Sequence, residues 1–179
     1  PSTWARLFEA LAGDPLWLSE RGLEGDALRD EVRAAAARRL HDARDAAARV
    51  IFEVERARDP SAAEAAWPAL AARAFLHPAE EDAPPPWRTD PDPLLHAAET
   101  LRAVLLAAQA EVFLAERAGS PAWWRAKRAG EWLRGTWAAG SRHAPEELAA
   151  AMGARALDAA ALERIARARA ALGTATPRG

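Results

Sequence analysis

The chain has no cysteine. That excludes a disulfide framework, a thiolate nucleophile and thiolate metal ligands. It also has no tyrosine and only one methionine. No apolar run approaches the roughly 18 residues needed to cross a bilayer, and the residues show no signal-peptide pattern. The expectation is a cytoplasmic protein with no membrane partner, subject to whatever precedes Pro1. Neither sign of charge dominates, since 24 Lys and Arg face 26 Asp and Glu. A net charge of −2 gives no field that would draw the chain to nucleic acid. The four histidines, His41, His77, His96 and His143, are scattered. None forms HExxH, the spacing that sets two imidazoles on one helical face for zinc. There is no Gly-rich phosphate loop and no G-x-S-x-G elbow. From its residues alone the chain holds no complete catalytic constellation.

What it does have is helix. Half of the 179 residues are hydrophobic, and alanine supplies much of that share. Alanine favours helix but fills little volume. Eight Trp and four Phe must therefore supply bulk to the core. No stretch alternates as a half-buried strand would, and no repeat is found. The predicted class is all-α: a single helical domain over 1–179, with a Pro-rich loop at 77–93 and a flexible tail at 173–179.

Start and stop signals set the helices. Ser2 or Thr3 caps a first helix from Trp4 to about Ala12, and Asp14-Pro15 opens a short second one. A long helix from Asp26 to Arg58 carries an apolar stripe through Leu28, Val32, Ala35, Ala36, Ala43, Ala47, Val50, Ile51 and Val54. Its Arg and Asp/Glu residues alternate as in a solvated face laced with ion pairs. After Asp59-Pro60-Ser61 another helix runs from about Ala62 to Ala74. A second long helix spans Asp92 to Ala118, with Leu94, Leu95, Leu101 and Leu105 on its stripe. Val104, Leu106 and Phe113 extend its apolar surface well round, as in a central helix. The two long helices are expected to pack along each other. Shorter helices follow near 129–139 and at Pro145, and Asp158 caps the last.

Two segments carry polar residues in odd places. His96, Glu99 and Thr100 share one face at the start of the second long helix. Beside the Pro-rich loop around Trp87 they form a candidate cleft. Equally open is a plain surface, with Glu99 paired to Arg102 and His96 in solvent. The stretch "AGSPAWWRAKRAGEWLRGTWAAGSRH" interleaves Trp with Arg and Lys, a pattern used on single-stranded nucleic acid. Yet Ala129, Trp132, Leu133 and Trp137 have core spacing, and both Trp side chains are expected to be largely buried.

A family resemblance sharpens the reading. "PSTWARLFEALAGDPLW" resembles a segment of gluzin-type zinc metallopeptidases, the group of thimet oligopeptidase, oligoendopeptidase F and carboxypeptidase Taq. "AARVIFEVERA" is similar to the long family helix that follows. "DPLLHAAETLRAVLLAAQAEVFLAERAGSPAWW" resembles a family helix with an Ala-Gln signature. "EWLRGTWAAGSRHAPEELAAAMGARALDAAALERI" looks like the family terminus. The resemblance covers most of the chain in collinear order, through short matches.

It implies that Pro1 continues the helix bearing the third zinc ligand, a Glu placed just before residue 1. The chain would be the C-terminal part of a longer zinc peptidase that hydrolyses peptide bonds, with the HExxH Glu as general base. Zinc would belong to that parent, and none would be bound by this segment. The partner implied is a peptide substrate. Where the family carries tyrosines that assist the oxyanion and substrate, this chain has His96 and Thr100. His96 is then the candidate catalytic donor, and Glu99, Thr100 and Trp87 are the candidate substrate-binding residues. The same departure leaves a second reading open: a non-catalytic helical module that binds a protein or peptide.

Overall fold

The computed structural model describes residues 3–76, 91–140 and 142–172. Among them there are helices and no strands, so the chain is all-α. The helices are α1 (Thr3–Glu9), α2 (Pro15–Ser19), α3 (Gly25–Arg58), α4 (Pro60–Phe75), α5 (Pro93–Ala118), α6 (Lys127–Ala138), α7 (Pro145–Ala151) and α8 (Ala160–Leu172). Two 3-10 turns, Ala10–Gly13 and Trp123–Arg125, join them. Trp87 with most of the Pro-rich loop, and the tail at 173–179, lie outside the described residues.

The start signals work as their chemistry requires. Asp14 accepts from the Leu16 and Trp17 amides, and Pro15 holds the first helical position of α2. Asp59 does the same for α4, accepting from Ser61 and Ala62 ahead of Pro60. Asp92 accepts from Leu95 N–H, and Asp158 from Ala160 N–H. Each cap satisfies amides that a helix start leaves without an intrahelical partner. The charge alternation in α3 forms the expected ladder, with Asp26–Arg29, Asp30–Arg33, Asp45–Arg49 and Glu55–Arg58 at one turn's spacing. Such exposed pairs contribute about 0–1 kcal/mol each.

The chain divides into two compact units. The smaller, Arg39–Leu101, holds the later part of α3, all of α4 and the start of α5. Its core is aromatic. Phe52 meets Trp67 edge-on at 5.6 Å between ring centroids, and Trp67 meets Phe75 at 6.4 Å. Ala63 and Ala71 are buried on the same cluster. The stripe predicted for α3 is displaced here: Ile51 is exposed and its neighbour Phe52 is buried. Trp67 decides between them, because the larger ring contact falls to Phe52. Leu94 and Leu95, assigned to the α5 stripe, are also exposed.

The larger unit comprises Pro1–Arg38 and Arg102–Gly179. Leu7 and Leu11 pack with Leu114 of α5, Trp123 of the second 3-10 turn and Leu133 of α6. Each such burial is worth about 1.5–3 kcal/mol against exposure. From Ala103 to Ala110 every α5 residue but Leu105 is buried, so this stretch is central in its unit. Trp132 is half-buried and meets the Phe113 ring at a tilt, 4.9 Å between centroids. Trp137 departs from expectation: it is 42% exposed, resting against Trp4 and Phe8 at the edge of the aromatic cluster.

Gly13 marks the tightest approach in this unit. A Cβ built there would lie 2.2 Å from the Ala35 Cβ of α3, so only glycine fits. Gly13→Ala forces the 3-10 turn away from α3. It should lower stability by about 1–3 kcal/mol, the usual cost of overpacking. Urea titration followed by circular dichroism measures this, and an unchanged midpoint would show that the turn moves freely.

Candidate functional site

The larger unit contains a groove of about 430 Å³ between α5, the turn after α7 and the start of α8. Its apolar part comes from Val112, Phe113 and Met152. Gln109 lines it from α5. Charged side chains border it: Glu116 from α5, Arg155 and Asp158 from the turn, and Arg164 from α8. A mixed apolar and polar concavity of this size is within the range used for small ligands.

Gln109 stands out. It is only 8% exposed in a stretch of α5 that is otherwise apolar. Its Nε2 donates to the Ala156 carbonyl at 2.8 Å, which ties α5 to the turn before α8. Its Oε1 is screened from solvent and has no donor among the described residues. A buried acceptor left unmatched costs about 1–3 kcal/mol. The charges divide unevenly. Asp158 is engaged by the Ala160 amide, and Glu116 lies 3.8 Å from Arg164. Arg155 is exposed and makes no ion pair among the described residues.

The same helices α5 and α8 are joined by a buried charge cluster. Arg169 of α8 is 5% exposed and donates to Glu111 of α5 at 2.8 Å. Its guanidinium also lies 3.7 Å from Asp14, the cap of α2. Burial raises the Asp14 carboxyl above its ordinary value of 3.8. The Trp17 and Leu16 amides and Arg169 act the other way, and Glu111 adds to the rise.

The residues predicted from sequence lie elsewhere. His96 and Glu99 are exposed and Thr100 is half-buried, all three in the smaller unit. None of them lines the groove. Arg102, the predicted partner of Glu99, instead meets Glu146 of α7 at 3.2 Å. Sequence reasoning noted Gln109 only as part of the Ala-Gln signature, not as a site residue, and passed over Met152 and Arg155. A signal for Gln109 was present: it is the one polar residue in the run from Ala103 to Ala110.

Among the described residues no group of three or more His, Asp or Glu is placed to hold a metal ion. HExxH is also missing from the sequence. No helix among the described residues is long and apolar enough to cross a membrane. No protein-family model matches the chain, and no curated protein or solved structure matches it.

Asp14 gives a test of the cluster's electrostatics. A carboxyl whose folded pKa is raised adds stability in full only below the unfolded value, and loses it as pH rises through the folded one. At pH 7 the buried charge is a net cost. Asp14→Asn keeps a capping oxygen and removes that charge. The variant should be more stable than wild type at pH 7, with the gap closing as pH falls toward 3.8. Denaturant titrations at several pH values measure it. A variant less stable at pH 7 would show that attraction to Arg169 outweighs burial.

Proposed function

We propose that this chain is the substrate-side helical portion of a gluzin-type zinc metallopeptidase that hydrolyses peptide bonds in oligopeptides. The observation that supports it is collinearity. The resembling stretches fall in order on α1 and α2, on α3, on α5, and on α6 through α8. The groove beside Gln109 supports a peptide ligand, since it pairs an apolar surface with hydrogen-bonding and charged groups. The metal and the general base would come from the rest of the parent. This segment's part is to bind and position a peptide.

A second reading is a non-catalytic helical module that binds a protein or peptide. The observation that favours it is the substitution of His96 and Thr100 where the family carries tyrosines, with His96 exposed.

Reading the coding sequence upstream of Pro1 and assaying the product of the whole reading frame separates the two. The first reading expects an upstream HExxH, one zinc per chain by elemental analysis, and hydrolysis of oligopeptides. No zinc and no hydrolysis would overturn it in favour of the second. His96→Ala in that whole protein probes the donor role. A loss of turnover of roughly ten- to a thousandfold with zinc retained is the expected mark of a lost oxyanion donor. Unchanged turnover returns His96 to the surface.

A further inference from the structure

The groove in the larger unit is bordered by three unlike groups, one of them an acceptor held just beneath its surface. There is an apolar surface at Val112, Phe113 and Met152. There is an acceptor without a donor, Gln109 Oε1. And there is a cation without an ion pair among the described residues, Arg155. One chemical unit answers all three from a single carbon: the last residue of a peptide. Its Cα carries a side chain, an amide N–H and a carboxylate.

We propose that this groove binds the C-terminal residue of a peptide bearing an apolar side chain. The side chain lies against Val112, Phe113 and Met152. The amide N–H donates to Gln109 Oε1, and the carboxylate meets Arg155. The inference rests on the peptide-binding part of the reading above and not on the metal.

Competing groups do not fill the same roles. Gln109 Nε2 is committed to the Ala156 carbonyl, which fixes the oxygen as the remaining end of the amide. Asp158 would repel a carboxylate, but the Ala160 amide engages it and the first turn of α8 offsets its charge. Glu116 is drawn toward Arg164. Oε1 is screened from water. A ligand N–H therefore reaches it only after a side-chain adjustment. Met152, unbranched and half-buried, lines the same groove and is a side chain that repacks readily. A buried acceptor that gains its donor only on binding is favourable, because the cost of leaving it unmatched is already present in the free protein.

The test is calorimetric titration of the 179-residue chain with N-acetyl-Ala-Leu and with its C-terminal amide. The acid should bind at least about tenfold more tightly than the amide, as a charge-assisted contact to Arg155 requires. Arg155→Gln, an exposed change, should abolish that preference and leave thermal stability unchanged. Gln109→Met should weaken both ligands about tenfold. If that variant does not fold, the Arg155 comparison decides alone. Equal binding of acid and amide, or binding of neither, overturns the proposal. Failure of the peptidase reading looks different: no zinc in the whole protein, with acid-selective binding by this chain intact.

Discussion

The larger unit is organised around one buried guanidinium. Arg169 reaches Glu111 on α5 and Asp14 at the cap of α2, so a single side chain ties three parts of the sequence together. Burying a cation costs several kcal/mol unless partners of opposite charge are held close. Here the partners are nearly as buried as the cation, and Glu111 makes the closer contact, at 2.8 Å against 3.7 Å for Asp14. The arrangement tolerates little shift in α2, α5 or α8. Gly13 adds a steric constraint beside this electrostatic one, since it sits against Ala35 with the Arg169 guanidinium 3.6 Å from the position of its missing Cβ.

The cluster and the groove share two helices. α5 contributes Glu111 to the charge cluster and the adjoining Val112 to the groove. α8 contributes Arg169 to one and Arg164 to the other. The Gln109–Ala156 hydrogen bond then fixes the turn that carries Arg155 and Asp158. The groove walls are thus held from behind by the Arg169 cluster and from within by the committed end of the Gln109 amide. That is the condition under which a small binding site keeps its shape.

Much of the fold was legible because its signals are local. An Asp ahead of a Pro, or an Asp two or three residues before free amides, caps a helix whatever surrounds it. Asp14, Asp59, Asp92 and Asp158 all did so. Burial was less legible, because it depends on partners distant in sequence. Ile51 and Phe52 are equally apolar neighbours, and only Trp67 on the next helix tells them apart. Trp137 has core spacing along α6, yet it lies where the aromatic cluster meets solvent. Arg169 was hidden among the arginines of α8, since its partner Glu111 is 58 residues away. The candidate site suffered most. Polar residues at the start of α5 drew attention by their spacing, whereas Gln109 entered only as part of a resemblance and, as a site residue, was marked only by its isolation in an apolar run.

Met152 carries a further consequence. It is the chain's single methionine, and no cysteine accompanies it. The only sulfur in these 179 residues is one thioether at the apolar side of one groove. A peroxide acting on the chain's sulfur therefore has one address. Conversion to the sulfoxide would place a polar, chiral S=O among Val112 and Phe113, turning the driest part of the groove into a hydrogen-bond acceptor. Reduction of the sulfoxide would restore it, which makes the state of this groove readable, and reversible, through one atom.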